Sequence, residues 1–226
     1  TGCSINTTAG FSIITWTMDS SGSAKNIPHG LSRAPEVVIM KQRNFDGDWI
    51  MTHPNFSAST KCIYLNKQDG EDTSSDFNNA FPTDDYIPTN TTGVNGRLVV
   101  MYAWHSVRGL QAFGEYEGNG ASDGAIINCG FKPSLVWIKE NANSNPWCIH
   151  DIARDGTNEG AQGNLSFANG TETVHSTDHS IDMLSNGFKT RTVSGYRNHH
   201  GQKYFYFAWA DSSHFSLYGS QSNAHS

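Results

Sequence analysis

Two stretches of this chain, 98 residues apart, carry one pattern. Pro35 to His53 reads PEVVIMKQRNFDGDWIMTH, and Pro133 to Asp151 reads PSLVWIKENANSNPWCIHD. Pro35 matches Pro133, Lys41 matches Lys139 and Trp49 matches Trp147. Each copy opens on proline, runs through a short apolar stretch rich in β-branched residues, breaks into turn-formers and resumes at tryptophan. That is the signature of a strand, a polar turn and a second strand. A hairpin-bearing unit repeated in this way implies an internal duplication, two copies of one architecture.

The correspondence extends outward from the hairpin. Ile13 to Trp16 stands opposite Phe113 to Tyr116, Gly30 opposite Gly130, and Asn95-Gly96 opposite His200-Gly201. Each half closes on a nearly continuous apolar strand, Leu98 to Trp104 and Tyr204 to Trp209, with Ala103-Trp104 matching Ala208-Trp209. Only His105 to Gly109 lies between the halves, too short to be a flexible tether. Domains are therefore expected at 1–107 and 108–226, packed against one another. Ser185-Asn-Gly187 predicts a tight hairpin, Asn66 to Asn79 a surface loop, and 212–226 a polar tail.

Composition settles the broad class. The chain has 22 glycines, only 16% charged residues and 12% aromatics, and no stretch keeps an apolar 3.6-residue period over three turns. This predicts an all-β protein. Short strands with apolar faces need a second sheet to cover them, so two tandem antiparallel β-sandwich units, jelly-roll or lectin-like, are expected. A net charge of −6 with no basic cluster argues against nucleic acid as a partner. No run of 18 apolar residues exists, so no membrane insertion is expected. The first residue is Thr1, which suggests a trimmed or internal piece of a longer polypeptide.

The reactive side chains form no recognisable constellation. Cys3, Cys62, Cys129 and Cys148 contain no CxxC pair and fall outside the repeat, which reads as small buried thiols. The adjacent His199 and His200 would point to opposite faces of a strand, and His175 and His179 lie in a polar loop. Exposed, solvated histidines are expected rather than a metal site. Asp46-Gly-Asp48 and Asp69-Gly-Glu71-Asp72 lack the remaining ligands of a calcium loop. There is no G-x-S-x-G elbow, and the matched positions are apolar, glycine or proline. No catalytic residue, metal or cofactor is therefore expected. The sequons at Asn6, Asn55, Asn90, Asn164 and Asn169 are about as many as chance gives and decide nothing. Trp49 and Trp147 could be sugar-stacking platforms, but heading an apolar strand in both copies they are expected as core anchors. Pro35, Pro133, Trp104 and Trp209 join them. The turn residues Asp46, Asp48, Asn143 and Asn145 are the better candidates for surface recognition.

The second half carries Tyr116-Glu-Gly-Asn-Gly120, Gly130-Phe-Lys-Pro-Ser-Leu-Val-Trp-Ile-Lys139, Trp147-Cys-Ile-His-Asp-Ile-Ala-Arg-Asp155, Ile181-Asp-Met-Leu-Ser-Asn-Gly-Phe-Lys-Thr-Arg191 and Tyr204-Phe-Tyr-Phe-Ala-Trp-Ala210. Together these resemble a repeat domain of virion proteins from tailed bacteriophages, particularly marine ones. The first half is similar but departs after Trp49, where Met51-Thr-His-Pro54 replaces the D-x-A-R-D segment. The resemblance implies a non-enzymatic tail fibre, tail-tip adhesin or capsid decoration on the virion surface, contributing to host attachment. Other virion proteins and a host-surface glycan are the implied partners. Homo-oligomers, trimers above all, are common in such particles, and the apolar closing strands and open sheet edges fit that assembly. A secreted carbohydrate-binding, lectin-like module is the alternative, and a depolymerase a third.

Overall fold

A computed structural model describes residues 2–19, 24–90, 95–155, 166–167 and 181–211. His175, His179, the sequons at Asn164 and Asn169, and the tail from 212 lie outside the described residues. The chain divides into two compact units, Thr1–Asn66 with Glu71–Ser106, and Lys67–Gly70 with Val107–Ser226. The boundary after Ser106 falls within a residue of the expected one, but Lys67–Gly70 groups with the second unit.

The first unit contains β1 (Gly2–Asn6), β2 (Phe11–Thr17), β3 (Lys25–Pro28), β4 (Val37–Gln42), β5 (Ile50–Thr52), β6 (Lys61–Tyr64), β7 (Asp72–Thr73), β8 (Tyr86–Thr89) and β9 (Leu98–Trp104). Seven of them form one sheet in the order β1-β2-β9-β4-β5-β6-β7, and β3 pairs with β8 in a separate ribbon. Every pairing is antiparallel. Alternation decides which side chains go inward. Ile14, Trp16, Val38, Met40, Ile50, Cys62, Val99, Met101 and Ala103 share one sheet face and join Ile27 and Ile87 of the ribbon in a single buried cluster. The opposite face is also apolar: Val37, Ile39, Met51, Ile63 and Val100 are buried on it. Nearly continuous apolar runs such as VVIM and LVVMYAW are what strands buried on both faces require.

The second unit contains β10 (Gln111–Glu117), β11 (Ile126–Asn128), β12 (Pro133–Glu140), β13 (Cys148–Asp151), the single helical turn α1 (Ile152–Asp155), β14 (Ser166–Phe167), β15 (Ile181–Leu184), β16 (Gly187–Thr190) and β17 (Lys203–Ala210). One sheet runs β10-β17-β12-β13-β14 and the other β11-β16-β15. Val136, Ile138, Cys148, Tyr204 and Ala208 from the first sheet cluster with Ile127, Met183 and Phe188 from the second. The expected hairpin is present, with Leu184 opposite Gly187 across a two-residue turn. Pro133, lacking an N–H, begins β12 where the register shifts before Leu135. The chain is thus all-β, built of several antiparallel sheets.

Two expectations are corrected. Trp49 is not a core anchor: it is 37% exposed, while its counterpart Trp147 is 1% exposed. Trp104 and Trp209 are only half-buried, and the core clusters take Ala103 and Ala208 instead. Consecutive strand residues face opposite ways, so the small residue of each Ala-Trp pair enters the cluster and the tryptophan takes the other face. Pro35 and Pro133 are buried. Nor are the histidines mainly solvated. His199 and His200 are exposed, but His29, His53, His105 and His150 are all buried.

Candidate functional site

The matched turns are braced from beneath. In the first unit Asn44 joins the β4–β5 turn to the start of β9: its Nδ2 donates to Gly96 O at 3.0 Å and its Oδ1 accepts from Leu98 N–H at 2.7 Å. The Arg97 guanidinium lies 3.5 Å over the exposed Phe45 ring and donates to Gln42 Oε1 at 2.6 Å. Lys41 Nζ donates to the Gly47 carbonyl. Asn66 closes the far side, donating to Asp48 Oδ1 at 2.8 Å and accepting from Trp49 N–H at 2.9 Å. Asp46 is exposed at the tip, and Asp48 is half-buried.

The turn between β12 and β13 has the same device with more burial. Lys139 is fully buried, and its Nζ donates to the carbonyls of Gln68 at 3.0 Å, Glu140 at 3.1 Å and Asn143 at 3.5 Å. Burial pushes the Lys139 pKa down to about 8, with the Glu140 carboxylate pulling the other way. Glu140, itself buried, accepts the Asn143 amide on one carboxylate oxygen and the Asn145 amide on the other. Asn143 is exposed and Asn145 half-buried. The two asparagines therefore spend donors on holding the turn. The lysine that sequence matched between the copies ties the turn to its hairpin in both, through a loop carbonyl.

Trp49, Tyr102, Trp104 and Phe11 form a row on one face of the first unit's main sheet. Trp49 and Tyr102 have ring centroids 6.3 Å apart at 19°, Tyr102 and Trp104 6.1 Å at 21°, and Trp104 and Phe11 4.8 Å at 26°. Trp49 is exposed and the other three half-buried. The equivalent positions of the second unit behave differently. Trp147 tilts 39° from Phe207, and Trp209 meets Phe113 and Trp137 edge-on at 74° and 70°. Edge-to-face contact among buried and half-buried rings is ordinary packing. A near-parallel, partly exposed row is not.

A family described as a domain of unknown function, DUF7483, matches residues 1–213. The chain belongs to that family. The DUF7483 match runs through both compact units, so the family's unit is the pair of them. No curated protein and no solved structure matches the chain.

Sequence reasoning gave no sign of the polar interior of the DUF7483 second unit. Arg197, fully buried, donates from Nη1 to Cys148 Sγ at 3.6 Å, and Tyr116 Oη donates to Arg197 O at 2.6 Å. Burial, and secondarily the Arg197 charge, holds the nearby His150 pKa well below its ordinary value. Asn198 Nδ2 lies 2.8 to 2.9 Å from Thr192 O, Ala121 O and Asn119 Oδ1, tying two loops together. Cys148, His150 and Arg197 are all buried in this interior. Each belongs to a stretch that reads as an ordinary strand or loop, and only tertiary packing brings them together. Among the described residues no cluster of three or more His, Cys, Asp or Glu could hold a metal ion, and no helix is long and apolar enough to cross a membrane. A cleft of about 250 Å³ in the second unit is lined by Gly109, Phe131, Lys132, Pro133, Ile152, Ala210 and Asp211.

Proposed function

We propose that this chain is a non-enzymatic structural protein of a tailed-bacteriophage virion, displayed on the particle surface as a tail fibre, tail-tip adhesin or capsid decoration, and that it contributes to host attachment. The observation that carries the reading is the bracing of the two matched turns. Rigid hairpins hold Asp46, Asp48, Asn143 and Asn145 at their ends, fixed by Lys41, Asn66, Lys139 and Glu140. Pre-ordered polar turns bind at low entropic cost, which suits a recognition surface. The motif resemblance of the second half supports the virion setting.

The same proposal takes the architecture as two duplicated β-sandwich units. Strand order supports it: β2-β9-β4-β5-β6 in one unit parallels β10-β17-β12-β13-β14 in the other. Left-handed glycines recur at matched places, Gly30 with Gly130 and Gly96 with Gly201. Oligomerisation, with a trimer favoured, belongs to the same reading. A secreted lectin-like module is the second reading, favoured by the partly exposed aromatic row. Immunogold labelling of purified phage particles, using antibody raised against this chain, tests the first. Regular labelling at one virion position is the expected result, and unlabelled particles would overturn it.

A further inference from the structure

We infer that the exposed end of the aromatic row in the first unit is a carbohydrate site, with Trp49 as the stacking platform and Asp48 and Asn66 as the hydroxyl-binding pair. The inference rests on the adhesive reading above and supplies its ligand class, a neutral pyranose chain.

Three observations converge on it. The first is asymmetry. Trp49, Tyr102 and Trp104 stand where Trp147, Phe207 and Trp209 stand in the second unit, yet Trp49 is 37% exposed and Trp147 only 1%. The row keeps its rings within 19° to 26° of parallel, while its counterparts tilt and meet edge-on. In a row of rings each end lacks a neighbour on one side, and of the two ends Trp49 is exposed while Phe11 is half-buried. The second is chemistry. A pyranose has an apolar face of C–H bonds that suits an indole, and a rim of hydroxyls that needs paired donors and acceptors. Asp48 precedes Trp49 directly, and exposed Asn66 binds both Asp48 Oδ1 and the Trp49 N–H. One carboxylate and one amide are thus fixed beside the ring before any ligand arrives. The third is charge. The ring positions and their β1 and β2 neighbours Ser4, Asn6, Ile13 and Thr15 are uncharged, the one cation beside them on β4, Lys41, is bonded to the Gly47 carbonyl, and the acid Asp48 adjoins the ring, so a nucleic acid or an acidic polymer is disfavoured there.

The test uses the whole chain with maltohexaose, cellohexaose and chitohexaose as probes, followed by tryptophan fluorescence and calorimetry. Saturable binding to at least one is expected, with a blue shift as Trp49 leaves water. Trp49→Ala should weaken it at least 10-fold, about 1.4 kcal/mol by the affinity relation, and Trp49→Phe should recover part of the loss. Circular dichroism and a melting curve would establish that the variants remain folded. A flat response to all three sugars overturns the inference, as does binding that folded Trp49→Ala leaves unchanged. A blue shift that depends on protein concentration instead of sugar overturns it too, in favour of a second copy covering the row. Particle labelling reports separately. Labelled particles without sugar binding would sink the site and spare the virion reading, and sugar binding without labelled particles would do the reverse.

Discussion

His53 illustrates how one buried side chain sets a property of the whole. It is 1% exposed, its Nδ1 accepts the Asn55 N–H at 3.1 Å, and burial lowers its pKa to about 4. The unfolded chain protonates this ring near its ordinary value of 6.5, whereas the folded chain resists until about pH 4. The stability it contributes is therefore complete above 6.5 and falls as pH drops from 6.5 toward 4. The slope from this ring alone is at most about 1.4 kcal/mol per pH unit. His29 and His150, also held below their ordinary values by burial, act in the same direction. His53→Asn keeps an acceptor for Asn55 but cannot titrate. Urea midpoints between pH 7 and 4.5 should fall less steeply for this variant than for the parent. Parallel curves would remove His53 from the account.

At the scale of the element, hairpins are bound to their surroundings by positions that have no chemistry of their own. The β15–β16 hairpin depends on Gly187, opposite Asn128 of β11. A Cβ at this position would lie 1.9 Å from the Ile127 carbonyl oxygen, so the neighbouring backbone would have to move. Gly187→Ala should cost about 2 kcal/mol or more, in the range of overpacked cores. Chemical denaturation would measure it, and a loss below about 0.5 kcal/mol, typical of a surface site, would show that β11 can yield. The turns of the long hairpins depend instead on Lys41 and Lys139, whose ammonium groups donate to the loop carbonyls of Gly47, Gln68 and Asn143. That gives the lysine a structural reason to recur at a fixed distance before the tryptophan.

For the molecule as a whole, the proposed trimer makes the plainest prediction. Light scattering on the purified chain at micromolar concentration should give three times 24.8 kDa. A mass of 24.8 kDa alone would overturn it. The physical motive is the nature of the strands. β9 and β17 are apolar on both faces, and each main sheet ends in strands with open edges among the described residues, β1 and β7 in one unit. β1 is exposed at four of its five positions, with Ile5 46% exposed, so it is held by its ladder to β2 more than by burial.

The sequence by itself determined the strand content, the matched hairpins and the Ser185–Asn186 turn. These follow from local preferences: β-branched runs, turn residues and glycines at left-handed positions, each legible within a few residues. It also placed Asp46, Asp48, Asn143 and Asn145 on turns. Tertiary structure alone decided which tryptophans are buried. Trp49 and Trp147 are indistinguishable in their local pattern, and their exposure depends on neighbours brought from distant strands. It also decided that Arg197, Cys148 and His150 meet in one buried cluster, and that Asn66 stands beside Asp48 and Trp49. Sheet order, which no local signal encodes, makes those juxtapositions. The matched sequence pattern makes the two halves look alike, and long-range packing makes the aromatic row of one differ from the tilted and edge-on rings of the other.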